Sequence, residues 1–180
     1  FLRYGSDIAR RVVQHHKANG GVSRFEKIPL YLSWCEESLS SAEIETLYDQ
    51  FSQQVVQRVI DSPWVPGVRE YLLDNHLVQD FVLVTATPYP EIMKILERLN
   101  IDKCFNEVFG APLIKTKVIE EVFLRSGYDH GQTLVIGDSR SDFDAAIANK
   151  IPFLLRRTSL NQSLQVSYSG PKCDDFRNES

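Results

Sequence analysis

Asp138 and Asp142, in the stretch Gly137-Asp138-Ser139-Arg140-Ser141-Asp142, have the clearest chemical meaning in this chain. The preceding run, Thr133-Leu134-Val135-Ile136, is aliphatic and β-branched and reads as a strand buried on both faces, as in a parallel sheet. After the stretch, Phe143, Ala146 and Ile147 recur at helical spacing. Asp138 is therefore expected where a strand ends, and Asp142 in the first turn of the next helix. In open α/β sheets that edge is where ligands bind. Two carboxylates converging there repel unless a cation lies between them, and Mg²⁺, a hard ion with oxygen ligands, suits the pair. Asp-Ser-x-x-Asp also caps and solvates helix starts without any metal, so the pair alone leaves both readings open.

Two other places add parts in a consistent order. Phe81-Val82-Leu83-Val84 reads as a strand ending in Thr85-Ala86-Thr87-Pro88. Thr85 offers a hydroxyl there, and Ala86 and Thr87 offer backbone N–H groups near a helix start, an anion cradle. Lys115 brings a positive charge to the entrance of another helix, with Lys117 as the fallback. A hydroxyl, backbone donors, a lysine and an acidic pair suit a phosphoryl group with its Mg²⁺, because phosphoryl transfer is mostly positioning and charge neutralisation. Alone, a strand-end threonine is usually packing and a lysine before a helix is usually solvated. The order of all three places carries the argument.

The elements that must position these residues follow from periodicity. The chain has 180 residues, 43% of them hydrophobic, enough for one domain with a small insertion and a real core. To about Pro63 it reads as helical. One helix runs from Ser6, as cap, to about Ala18 and closes at Gly20-Gly21. A second runs roughly from Phe25 to Cys35. A third is opened by the capping box Ser40-Ser41-Ala42-Glu43 and carries an apolar stripe of Ile44, Leu47, Phe51, Val55 and Val59. His15 and His16 are adjacent, so they point apart on a helix and read as surface histidines. Pro63 to Gly67 reads as a hinge. From about residue 80, strands alternate with helices, which predicts a parallel α/β sheet. Further strands are expected over Glu107-Gly110 and Ile151-Leu155, with a last short one near Cys173 to Phe176. Asn149 is expected in the left-handed conformation that ends a helix.

These motifs resemble those of the haloacid dehalogenase-like (HAD) superfamily, in the group with an early helical cap that includes phosphoglycolate phosphatase and β-phosphoglucomutase. Val82-Leu83-Val84-Thr85 looks like the family's phosphate-binding second motif, Lys115 like its third-motif lysine, and Gly137 to Asp142 like its Mg²⁺-binding fourth motif. Trp64-Val65-Pro66-Gly67-Val68 resembles the return from cap to core. The resemblance implies a Rossmann-like parallel sheet with a helical cap lobe over residues 1–63 and a core over 64–180. It implies catalytic roles for Thr85 and Lys115, phosphate contacts from Thr85, Ala86 and Lys115, and Mg²⁺ on Asp138 and Asp142. Family members begin with a strand ending in Asp-x-Asp, whose first Asp forms an aspartyl-phosphate. No such motif precedes the helical part here. The nucleophile is expected upstream of Phe1, and the 180 residues alone are expected to be inactive. A sheet lacking that central strand would expose strand edges and apolar faces.

The expected function is Mg²⁺-dependent hydrolysis of a small phosphorylated metabolite. The alternative is a non-catalytic phosphate- or metal-binding module, or a phosphomutase. A net charge of −4 argues against nucleic-acid partners. No apolar run approaches a membrane span. Cys35, Cys104 and Cys173 have no metal or redox spacing, which makes a reducing cytoplasm the default. Substrate identity and oligomeric state are not legible.

Overall fold

Local capping rules set the helical segment. In the computed structural model, which describes residues 1–36 and 39–177, Gly5 rather than Ser6 precedes α1 (Ser6–Ala18). Ser23 caps α2 (Arg24–Ser33), accepting from the Phe25 N–H. Ser40 and Glu43 form the expected capping box at the start of α3 (Ser41–Ile60). The expected stripe on α3 holds at Ile44, Leu47, Phe51 and Val55, which are partly buried, and the helix departs from it at the last turn. Val56 and Ile60 pack against the buried core, while Val59 is exposed. The Pro63-Gly67 segment is fixed at one point, where the Pro66 carbonyl accepts from the Phe176 N–H.

The α/β part follows: α4 (Val68–Asn75), β1 (Val82–Pro88), α5 (Tyr89–Leu99), β2 (Glu107–Ala111), α6 (Lys115–Ser126), β3 (Val135–Gly137), α7 (Arg140–Ala148), β4 (Phe153–Arg156), α8 (Gln162–Ser167) and β5 (Lys172–Cys173). All strand pairs are parallel. This is the mixed α/β fold the alternation predicts. Four local expectations are corrected. β1 continues through Thr85 to Pro88, with an irregular register after Val84. α8, six residues long and polar, has no periodic signal and was not anticipated. The left-handed residue after α7 is Lys150, not Asn149, which keeps a bridge-region conformation. The last strand stops at Cys173.

The sheet is divided. Among the described residues β1 pairs only with β2, and β3, β4 and β5 form a second sheet, in that order. The core divides with it. Leu72, Ile92, Ile95, Leu96, Ile101 and Cys104 pack with β1 and β2 residues, whereas Ala146, Phe153, Leu155 and Leu164 pack around β3 and β4. β1 and β3 thus each keep one unpaired edge. β3 is not buried on both faces as its sequence suggests: Leu134 and Ile136 are 48% and 44% exposed. α6 bridges the halves, because Lys115 and Thr116 reach α7 through the Asp142 carboxylate and the Asn149 side-chain amide. Among the described residues no helix is long and apolar enough to cross a membrane, and no cysteine is in a disulfide.

Candidate functional site

β1 and β3 both end at one cleft of about 310 Å³. Thr85, Ala86, Thr87, Lys115, Asp138, Ser139 and Asp142 line it from the strand ends, and Gly20, Gly21, Arg24 and Lys27 line it from the helical segment. All five residues singled out from the sequence therefore meet in one place. Lys115 is separated from its fallback by orientation. Its ammonium is 2.5 Å from Asp142 Oδ1 and the side chain is mostly buried, whereas Lys117 is exposed and pairs with Glu120.

Local geometry explains how each side chain is held. The Thr85 hydroxyl accepts from the Thr87 N–H at 3.2 Å, so its own proton remains available to a ligand. This also corrects the cradle reading, because the Thr87 N–H is already engaged. Asp142 is the third residue of a capping box. Its Oδ2 accepts from the Ser139 N–H at 3.0 Å and the Ser139 hydroxyl at 2.6 Å, and its Oδ1 from Lys115. The capping role raised from sequence is thus present. It fixes the Asp142 carboxylate beside Asp138 rather than competing with a ligand role.

Asp138 differs. Its carboxylate opens on the cleft and, among the described residues, makes no ion pair. Surrounding protein desolvates it, and the Asp142 charge adds to this. Both push its carboxyl above the usual carboxylate range, against the pull of Arg156 and Lys115. Asn161, 8% exposed, holds the backbone here by donating to the Asp138 and Arg156 carbonyls at 2.8 and 2.9 Å. Arg156 is therefore no ordinary surface residue. It is half-buried, its Nε lacks a hydrogen-bond partner, and it lines a neighbouring hollow shared with Asp138 and Ser139. Arg140 and Asp144 pair on the exposed face of α7, as a solvated face would.

Two carboxylates, one of them without an ion-pair partner, are oxygen donors of the kind Mg²⁺ takes. Among the described residues no group of three or more carboxylate, imidazole or thiol side chains is gathered for a metal. The donor set fits part of such a site and leaves the remaining positions to water, substrate or another carboxylate.

Gly137 makes the close approach possible. A Cβ there would lie 2.4 Å from Asp142 Cβ and 2.6 Å from Asp142 Oδ2. Its backbone is ordinary strand, so only space opposes a side chain. We expect Gly137→Ala to lower stability by about 1–3 kcal/mol, the range for overpacking. Its chemical-denaturation midpoint measures this, and an unchanged midpoint would contradict the packing described.

The helical segment contributes residues that sequence reasoning left aside. Arg24 is 7% exposed and binds Glu91 with both nitrogens, at 2.9 and 2.7 Å. Tyr31 and Trp34 do not line the cleft. They pack with His15, whose ring is half-buried rather than on the surface, while the adjacent His16 is exposed and reaches the cleft. Arg24 and Glu91 are far apart in the chain, so no local pattern announces their pairing.

A parallel α/β fold with a threonine, a lysine and an acidic pair at its strand ends defines a hydrolase of the phosphate-handling α/β class. The chain belongs to the haloacid dehalogenase-like hydrolase family, which matches residues 22–155. It is 26% identical to the phosphoglycolate phosphatase of Haemophilus influenzae (strain 86-028NP), over 81% of this chain and 70% of that protein. Two solved structures share its fold. One, from Haemophilus somnus 129PT and described as a phosphoglycolate phosphatase, has a TM-score of 0.73 at 21% identity, covering 91% of this chain and 78% of that one. The other, from Thermotoga maritima and described as a β-phosphoglucomutase, has a TM-score of 0.64 at 21% identity, covering 95% and 79%.

Proposed function

We propose that this chain is a Mg²⁺-dependent phosphatase of a small phosphorylated metabolite, working through an aspartyl-phosphate. The observation that carries this is the meeting of Thr85, Lys115, Asp138 and Asp142 at one cleft between two unpaired strand edges. In this reading residues 64–180 are the core and 1–63 the cap. The nucleophilic aspartate is expected on an extended segment upstream of Phe1 that reaches the cleft. Attack by that carboxylate on phosphorus forms the acyl phosphate as the P–O bond to the alcohol breaks, and water then hydrolyses it.

Each residue of the chain has a task. Thr85 donates its hydroxyl proton to a phosphoryl oxygen, its orientation set by the Thr87 N–H. The Ala86 N–H binds a second oxygen. Lys115, held by Asp142, offsets charge developing on the phosphoryl group. Asp138 would hold Mg²⁺, with Asp142 bound directly or through water. Bound there, the ion neutralises phosphoryl oxygens. Three unbridged thiols suit the reducing cytoplasm.

The test is phosphate release by the full-length chain from a panel of phosphorylated metabolites, with Mg²⁺ and with chelator. We expect chelator-sensitive turnover and a phosphorylated protein trapped by rapid acid quench. Inactivity across the panel despite folded protein would leave the non-catalytic binding module as the better reading. Transfer of the phosphoryl group between positions of one sugar, without net release, would favour the mutase.

A further inference from the structure

A second hollow, of about 330 Å³, lies beside the phosphoryl cleft and shares Asp138 and Ser139 with it. Arg156, the last residue of β4, lines this hollow and is half-buried. Its Nε is buried and has no hydrogen-bond partner. Among the described residues its other guanidinium nitrogens make no hydrogen bond or ion pair either. A guanidinium has five donors, and none is spent on the protein. The carboxylates of the neighbouring segments are committed elsewhere. Asp174, next to the Arg156 strand partner Cys173, pairs with Arg157, and Asp144 pairs with Arg140. Asp138 lines the same hollow but makes no ion pair with Arg156. Asn161 fixes the frame without answering Arg156. Its amide donates to the Asp138 and Arg156 carbonyls, and its oxygen accepts from the Thr158 N–H and the Gln165 side chain.

A buried donor left unpaired costs free energy, and native proteins rarely keep one without a partner. The other walls of the hollow indicate the chemistry of that partner. Lys17, in the last turn of α1, lines it from the helical segment and has no carboxylate within ion-pair distance among the described residues. The Thr158 hydroxyl accepts from the Leu160 N–H, so its own proton is free to donate. Ser159 and Ser163 bring two further exposed hydroxyls. Two unpaired cations thus face one carboxylate, and the hollow favours an anion. A carboxylate engages a guanidinium within one plane. An ion with oxygens on all sides also meets the hydroxyls and the ammonium, which come from separate segments. We infer that this hollow is a second anion site, for a free tetrahedral oxyanion of the phosphate type, separate from the phosphoryl group bound at the strand ends. The site needs no turnover and stands apart from the phosphatase reading.

The test follows the Arg156 Nε–H resonance of the full-length chain by NMR, assigned through its bonds to the backbone, as sulfate is added. The resonance should move in a saturable way with sulfate and with inorganic phosphate, and not with chloride at equal ionic strength. Lys17→Met changes an exposed residue and should weaken the sulfate midpoint roughly twofold to fivefold. Thr85→Val should leave the midpoint unchanged, because Thr85 lines the phosphoryl cleft and not this hollow. Ethylphosphonate stands in for a phosphoryl group carried on a larger molecule, and should bind no more tightly than inorganic phosphate. A resonance that does not move, or one that responds equally to chloride, overturns the inference. So does a midpoint that follows Thr85→Val rather than Lys17→Met, which would place the anion in the phosphoryl cleft. Clearly tighter binding of ethylphosphonate overturns the assignment to a free ion.

Discussion

Asp138→Asn is expected to abolish most activity while leaving the metal-free protein as stable as the parent or more so. A metal contributes several kcal/mol to transition-state charge stabilisation, so turnover should fall on the order of 10²- to 10³-fold. The stability effect has the opposite sign for a physical reason. Asp138 is exposed at the cleft, yet partial desolvation by the surrounding protein and then the Asp142 carboxylate raise its carboxyl above its ordinary range. The folded chain therefore keeps this proton to higher pH than the unfolded chain. The stabilising contribution is complete below the unfolded carboxyl range and is lost as pH rises through the raised value. At neutral pH the chelated parent carries a charge its surroundings disfavour, and asparagine removes it. The two proteins should converge at acid pH, where both side chains are neutral. Added Mg²⁺ reverses the order. Binding to the folded state alone contributes about 2.7 kcal/mol at a concentration of about 100 Kd, so the parent's Tm should rise and the variant's should not. A Mg²⁺-dependent rise in Tm that survives in Asp138→Asn would place the cation elsewhere.

What made Asp138 legible was its neighbours in sequence. A strand, a glycine, two polar residues and a helix start form a continuous local pattern, and the structure keeps it, with the strand starting two residues later at Val135 and the helix opening at Arg140. Lys115 was legible only as one of two lysines. Two positions apart on a helix point in different directions, and the choice depended on how α6 packs against α7. The last turn of α3, where Val59 was expected inward, departs for a similar reason. Its stripe is broad enough that tertiary contact with α5 selects Val56 and Ile60. The exposed side of β3 shows another limit. Aliphatic composition alone makes Ile136 read as buried, whereas it is 44% exposed and among the described residues only β4 pairs with β3.

Arg24 and Glu91 give the largest expected effect on stability. Their side chains are 7% and 14% exposed, and the pair is bidentate. Ser52 on α3 joins it, bonding both partners, and the Arg24 guanidinium lies over the Phe51 ring. One cluster thus ties α2 and α3 to the first turn of α5, which begins directly after Pro88 at the end of β1. Arg24→Met leaves the Glu91 carboxylate largely buried without its partner, and breaking such a pair costs about 3–5 kcal/mol. For a chain of this size that lowers Tm by roughly 6–20 °C. The penalty comes from the orphaned charge, so removing it should restore much of the loss. Arg24→Met combined with Glu91→Leu should be more stable than Arg24→Met alone, by about 1–3 kcal/mol of coupling. Thermal and chemical denaturation of the four proteins in the cycle measure this. A single-variant loss under about 1 kcal/mol, or additive effects, would mean that the pair is solvated and does not fasten α2 and α3 to the core.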